Sequence, residues 1–389
     1  MIVAKILVFS SLLLLGYVYV GYSLVLALLS RVVRGKPVAK SPTDHTVTLV
    51  ISAYNEEKVI GRKLENSLEL DYDKDRLEII VVSDASTDGT DDIVRSFASR
   101  GVVLKRMPVR KGKTAGLNEA VAVARGDVLA FSDANALYSP HALTQLVRNF
   151  ADPNVGCVTG DSQYTNPSRS ESAKSENLYW GHERVLKIRE SRLGSMVGAD
   201  GAIFAIRKEL FTVLETEDIN DFVTPLQIVQ RGYRNVFEPE AVCYESPATY
   251  FEEEFRRKIR IVNRSWNGVF RVKQLLNPLR HGWFSFQLLS HKLLRWLTAF
   301  VLILLLISSA FVLWGTRDWF YGILLGGQLI VYSVGVVGLI LERSRFRTRW
   351  LSLAAYFLLI NVASILGVVA GVFGKKITVW DPQREGEST

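Results

Sequence analysis

The chain has 389 residues, 48% of them hydrophobic, and a formal net charge of +8. Its length exceeds one average domain, and its apolar residues gather into long uncharged windows, which excludes a purely soluble globule. The positive charge has no basic-aromatic module behind it, so no nucleic-acid partner is expected; membrane flanks and anionic ligands account for it.

The first element is Ile6–Leu29, uncharged throughout. It is too long for a signal-peptide core and has no clear small-x-small cleavage site, so residues 1–30 read as a retained transmembrane anchor. Arg31, Arg34, Lys36 and Lys40 follow it, and Pro37–Asp44 is a linker. Thr46–Ser52 is the first predicted strand. It ends in Ala53-Tyr54-Asn55-Glu56-Glu57, and a helical pattern runs on to about Leu70. Leu77–Ser83 is the second strand, ending at Asp84, and a polar turn then leads into a helix capped by Asp88 or Thr90. Val102–Met107 is the third strand. Arg110-Lys111-Gly112-Lys113 opens the helix Thr114–Arg125, which Gly126 is expected to close as a C-cap.

The fourth strand organises the rest: Val128–Asn135, reading VLAFSDAN. Four apolar residues running into polar ones mark a buried parallel strand emerging at its carboxyl end. Strand–helix alternation over residues 46–135 predicts a doubly wound parallel sheet. Ligands of such sheets bind outside the carboxyl ends of the strands. Asn55, Asp84 and Asp133 all fall there, on one rim. Asp133 with Asn135 two residues on can hold a divalent cation against a diphosphate, since hard cations take oxygen ligands and keep positions for phosphate; a plain turn is the alternative. No GxGxxG or Walker pattern is present. Lys111 and Lys113 at a helix start can meet phosphate, or be a solvated turn.

Beyond residue 135 the pattern loosens. Pro140–Phe150 reads as helix, Val155–Gly160 as strand, and Glu171–Glu190 as a longer helix. Gly198-Ala199-Asp200-Gly201 is either a hairpin turn or a place where backbone approaches a sugar closely. Glu217-Asp218-Ile219-Asn220-Asp221 leads into a helix ending near Gly232, so Asp221 is a helix cap or a base beside the rim. Cys157 and Cys243 form no metal-ligand cluster, and a cytosolic setting argues against a disulfide.

Arg256, Arg260 and Arg264 share one face of a helix over Phe251–Lys273, with Phe255, Ile259 and Val262 opposite. This predicts an amphipathic helix at the membrane surface, with a second over Trp283–Arg295. Trp296–Trp314, Trp319–Leu341 and Trp350–Gly374 are three further uncharged windows, with Trp at their edges. Arg343, Arg345, Arg347 and Arg349 cluster after the third window. With Arg31 to Lys40, they place the N-terminus outside and residues 31–295 in the cytoplasm, at the plasma (inner) membrane. The fourth window contains Asn361 and Ser364 and precedes the basic Lys375, Lys376 and Arg384, so a re-entrant course stays open.

The stretches VISAYNEEKVI, VVSDASTDGTDD, GKTAGLNEA, FSDAN, GADGAIFAIRKELF and NDFVTPLQIVQRGYRNVFEPEA occur in this order. From Thr46 to about Phe270 they resemble the family-2 membrane glycosyltransferases, such as hyaluronan, chitin-oligosaccharide, cellulose and poly-N-acetylglucosamine synthases. The resemblance implies a GT-A domain, Rossmann-like and mostly parallel, over residues 31–248. Interfacial helices over 249–295, membrane helices over 296–374 and a polar tail over 375–389 would complete the chain.

It implies Tyr54, Asn55, Glu56, Asp84, Lys113 and Asp133 as nucleotide-sugar contacts, with Asp84 at a uracil. It implies Asp133 and Asn135 as holding Mg²⁺ or Mn²⁺, with Asn135 where the family has a second Asp. Asp221 becomes the catalytic base by its spacing to Gly232-Tyr233, although Thr216-Glu217-Asp218 spells the family's TED. Asp200, Arg264 and Trp266 are implied on the acceptor side. The processive Gln-x-x-Arg-Trp motif is altered, since Ser265 precedes Trp266 and no Gln stands at its offset.

The expected activity is metal-dependent inverting transfer from a UDP-sugar to a cell-envelope or extracellular polysaccharide, forming a β-linkage. A single transfer to a lipid-linked acceptor and a non-catalytic nucleotide-sugar-binding subunit are the alternatives.

Overall fold

The computed structural model describes residues 1–164, 171–245, 251–341 and 348–375. Arg343, Arg345, Arg347, Lys376 and Arg384, used above for orientation, lie outside these.

Four strands alternate with helices as their sequence predicts: β1 (Val47–Ala53), β2 (Leu77–Ser83), β3 (Val102–Arg106) and β4 (Val128–Asp133). The branched apolar side chains of β1, β2 and β4 are buried on both faces, between helices Ile60–Leu68 and Lys113–Val123 among others, whereas β3 at the edge leaves Val103 exposed. β5 (Leu137–Tyr138), β6 (Val155–Tyr164), β7 (Phe204–Arg207) and β8 (Arg234–Glu245) extend the sheet, in the order β3-β2-β1-β4-β7-β6-β8-β5. The first four pair in parallel, whereas β7 runs antiparallel to both β4 and β6. Ser52 of β1 is in register with Val82 of β2 and Asp133 of β4. That register brings the ends of the three strands to one rim.

β8 has no counterpart in the sequence reading. Glu238-Pro239-Glu240 interrupts its apolar run, and proline weakens a strand assignment. The strand tolerates the interruption because its register with β6 shifts between Thr159 and Asp161. The Glu238 carboxylate is fully buried, is paired with Lys40 Nζ at 2.7 Å and Arg148 at 3.2 Å, and accepts from Asn149 Nδ2 at 2.9 Å. These partners hold its pKa below the ordinary range, and Lys40 thereby ties the juxtamembrane linker to the sheet.

Gly126 is not a helix cap. Helix Lys113–Val123 ends earlier, at an extended Ala124. The glycine is there for close approach: a Cβ would lie 2.4 Å from the Thr48 backbone nitrogen.

Four helices are long and apolar enough to cross a membrane: Ile2–Val32, Trp283–Thr316, Trp319–Ile340 and Arg349–Val372. The first packs Ala4, Val8 and Leu15 against Leu305, Val312 and Tyr321. Gly338 lets the last two approach, since a Cβ there would meet Leu351 O at 2.3 Å.

The second half of Arg349–Val372 lies against helix Phe251–Arg271. Gly367 sits beneath Val262, Gly371 beneath Trp266, and Asn263 Nδ2 donates to Lys375 O at 3.0 Å. The helix expected at the membrane surface thus packs on another helix of the chain. Its apolar face covers that helix; Arg264 is buried against the sheet domain, while Arg256 pairs at the surface with Glu252.

Gly126→Ala is expected to cost about 1–3 kcal/mol, because backbone rather than a pliable side chain must move. Thermal unfolding of the solubilised full chain checks it; an unchanged midpoint would contradict the close-approach reading.

Candidate active site

The rim is built from loops that tie to one another. Asn55 adopts a positive φ of 54° and bonds the next loop, its Oδ1 accepting from Thr87 N at 2.8 Å and its Nδ2 donating to Thr87 Oγ1 at 3.2 Å. Glu56 N donates to Thr90 Oγ1 at 2.8 Å. Tyr54 lies beneath the Arg110 guanidinium, 3.8 Å from ring centroid to Cζ, and lines a pocket with Ser52, Ala53, Val82, Asp84, Lys113 and Gly116. Both oxygens of buried Asp84 accept backbone N–H groups, from Lys111 and Gly112, each at 2.8 Å. These two N–H groups are therefore engaged within the chain rather than left for phosphate. Asp84 clamps the basic loop to the rim, and Gly112 takes the required positive φ of 91°.

Asp133 stands at the end of β4, its side chain 27% exposed and paired with Lys113 Nζ. Asn135 follows within a tight turn in which Ala136 N donates to Asp133 O at 3.2 Å. Among the described residues no three His, Cys, Asp or Glu side chains gather as a cage. One carboxylate and one amide oxygen form a sparse donor set, which fits Mg²⁺ or Mn²⁺ with phosphate completing the shell.

Asp221 lies in the first turn of helix Asn220–Gln230 and caps nothing: the cap is Ile219. Its Oδ1 is buried without a hydrogen-bond partner among the described residues. Burial pushes its pKa up to about 6; Lys113 pulls it down, and Asp133 and Asp200 push it further up. The Gly198–Gly201 loop cradles it, with Ala199 N donating to Asp221 O at 2.6 Å. A Cβ on Gly201 would come within 2.7 Å of Asp221 Oδ2. Asp218, the competing candidate, is held inside its loop: Arg271 Nε is 2.7 Å from Oδ1, and Oδ2 accepts from Glu215 N at 3.0 Å.

Three acceptor-side residues were expected, and they occupy different places. Asp200 is buried beside Asp221 and paired with Lys187 at 3.1 Å. Trp266 packs against Phe270, Trp296 and the last helix, with ring centroids 5.5 and 6.4 Å away. The Arg264 guanidinium is buried and donates to the carbonyls of Glu217 at 2.9 Å, Thr216 at 3.0 Å and Asp218, and to Thr114 Oγ1 at 2.9 Å. Its Nε and Nη2 hold the loop before Asp221.

Two ionisable groups escaped the sequence reading. Burial, with repulsion from Arg264 and Arg257, lowers Arg260 to about 10, while Asp133 and Asp221 oppose the shift. Arg260 is thus within electrostatic reach of Asp133 and Asp221. Glu245, at the end of β8, is raised to about 7 by burial, Asp133 and Asp200. The helical spacing of Arg256, Arg260 and Arg264 was visible, but not which neighbour that face meets.

Residues 48–214 match the model of Glycosyl transferase family 2. The chain is 30% identical over 233 residues to "Probable glycosyltransferase YdaM" of Bacillus subtilis (strain 168), covering 55% of this chain and 54% of that one. It is 24% identical over 207 residues to the poly-beta-1,6-N-acetyl-D-glucosamine synthase of Staphylococcus epidermidis, covering 51% and 49%. The chain thus spans about half the length of these curated relatives. Its fold is shared with the mannosyltransferase PcManGT from Pyrobaculum calidifontis, solved in complex with GDP-Man and Mn²⁺. The TM-score is 0.70 at 24% identity, over 95% of this chain and all of that one. With a GT-A sheet domain and a strand-end acidic rim, residues 48–214 of the chain are similar to Glycosyl transferase family 2.

Proposed function

We propose that the chain is a membrane-bound, metal-dependent inverting glycosyltransferase. It would use a nucleotide-sugar, with a UDP-sugar expected, to extend a cell-envelope or extracellular polysaccharide through a β-linkage. The observation carrying this is Asp221: a buried carboxylate with an unpaired oxygen, raised to about 6 and electrostatically coupled to Lys113 and Asp133. A carboxylate so tuned is mostly ionised at pH 7 and still basic enough to take a proton.

In this reading Tyr54, Asn55, Glu56 and Asp84 border the nucleotide, and Asp133 and Asn135 hold Mg²⁺ or Mn²⁺. A bound cation would supply charge neutralisation at the leaving diphosphate. Lys113, already on the rim, adds positive charge there. Asp221 removes the acceptor hydroxyl's proton as that oxygen attacks the anomeric carbon. The C–O bond to the nucleoside diphosphate breaks on the opposite face, which inverts the configuration.

A second reading, transfer of one sugar to a lipid-linked acceptor, has an observation of its own. Phe222, next to Asp221, packs on Trp296 at 5.9 Å, where a membrane helix begins. Arg264 and buried Ser265 replace the processive motif, and Arg264 Nε donates to the Glu217 carbonyl. Product length with purified enzyme separates the two.

The membrane arrangement belongs to the same proposal. Asn361 meets Thr298 near the start of Trp283–Thr316's apolar run, and Lys375 O meets Asn263, so the last helix returns toward the catalytic domain. We read it as lying along the cytoplasmic face, with its carboxyl end at Lys375 inside. A reporter fused after Thr389 is expected on the catalytic domain's side; the opposite side would overturn this course.

Asp221→Asn is expected to lower kcat about 10²- to 10⁴-fold while nucleotide binding survives, tested with UDP- and GDP-sugars and Mg²⁺ or Mn²⁺. Wild-type activity in the variant would remove Asp221 as the base; no turnover with any donor would favour the non-catalytic reading. The kcat–pH profile should fall on its acid side near pH 6, because protonation silences the base. Gly201→Ala should lower kcat roughly 10²-fold by displacing that carboxylate, with donor KM nearly unchanged.

A further inference from the structure

Lys63 sits on the inner face of helix Ile60–Leu68, with Ile60, Leu64 and Ser67, and is completely buried. A buried ammonium is costly unless its hydrogen bonds are met. Here they are met in one place. Lys63 Nζ donates to Ser132 Oγ at 2.8 Å and to Ala136 O at 2.5 Å, and lies 4.2 Å from the centre of the Tyr138 ring. Ser132 and Ala136 bracket Asp133-Ala134-Asn135 on either side. One side chain thus joins both ends of the turn bearing the two oxygen ligands.

The same helix grips the segment again one turn later. Asn66 Nδ2 donates to Tyr138 O at 2.9 Å, and Asn66 Oδ1 accepts from Tyr138 N at 2.8 Å. Tyr138 OH in turn donates to Phe131 O at 3.0 Å, on the strand leading into the turn. Among the described residues no carboxylate pairs directly with Lys63; burial pulls its pKa down to about 7, while Cys243, Asp133 and Glu245 oppose the shift through space. An apolar side chain of similar length would fill the volume without the desolvation cost. What it would lose is the link between Ser132 and Ala136.

We propose that Lys63 is a positioning residue for the donor site: its ammonium sets the turn that presents Asp133 and Asn135 to a divalent cation and the donor diphosphate. This rests on the glycosyltransferase reading of the rim. Position and charge make opposite demands. Removing a positive charge near a cation site would by itself tighten cation binding, whereas loosening the turn weakens it. Ser132→Ala breaks one of the two anchors without changing charge, so it isolates the positional effect.

The test uses the full chain in detergent. Mn²⁺ is titrated with saturating UDP or GDP, free Mn²⁺ is read by electron paramagnetic resonance, and a thermal midpoint is taken for each protein. Lys63→Met should weaken Mn²⁺ binding about 10-fold, and Ser132→Ala by a smaller factor, with midpoints near wild type. Unchanged or tighter Mn²⁺ binding in both variants overturns the proposal. So does weakening that appears only together with a collapsed midpoint. If Lys63→Met does not fold, Ser132→Ala decides alone. Wild-type protein that binds Mn²⁺ with neither nucleotide overturns the reading of the rim, and this proposal with it.

Discussion

One buried guanidinium joins the parts of this molecule. Arg264, on the interfacial helix, donates to the three consecutive carbonyls of Thr216, Glu217 and Asp218 and to Thr114 at the start of the Lys113 helix. Burial lowers its pKa, and the carboxylates of Asp221, Asp218 and Glu217 oppose that shift. A charge placed this deep persists only if its donors are satisfied. Satisfying them fixes the loop ahead of Asp221, the helix bearing Lys113, and the helix resting on the membrane segments. The position of the proposed base is thus mechanically linked to the bilayer-facing half of the chain.

Around that link, the rim divides its work between backbone and side chain. Parallel register delivers Asn55, Asp84 and Asp133 to the same edge. Much of their polar chemistry is then turned inward: Asn55 to Thr87, Asp84 to two backbone N–H groups, Asp133 to Lys113. Such mutual satisfaction pre-organises a site for charged ligands, since less reorganisation is needed when charge develops. Asp221 differs in keeping one oxygen without a partner among the described residues, which suits the proposed role of a base.

The membrane-facing half follows packing rules of its own. Small residues allow close approach, at Gly338 against Leu351 and at Gly367 against Val262. Trp266, Trp296 and Phe222 form a continuous aromatic contact between interfacial helix, membrane helix and the helix of Asp221. An acceptor bound near that contact would meet both the membrane surface and the base, which makes the membrane part of the proposed site rather than a mere anchor.

The sequence by itself determined the parallel half of the sheet, the apolar helices and the strand-end rim. Those depend on local periodicity and on chain order, both readable along one dimension. The motifs also set Asp221 apart from Asp218 by spacing to Gly232; in the tertiary structure Asp218 is ion-paired with Arg271. Only the tertiary structure decided which partner each face would meet. It put Gly126 against the Thr48 backbone instead of at a helix cap, brought Arg260 within electrostatic reach of acidic groups, and gave Arg264 carbonyls to hold. It also made a strand of the Pro239 segment through a register shift, and gave Lys63 its two anchors. Lys63, on the buried helix face of Ile60, Leu64 and Ser67, played no part in the sequence reading. Its explanation lay 69 residues along the chain, at Ser132. Periodicity tells which face is buried; what that face is buried against depends on contacts between segments distant in sequence.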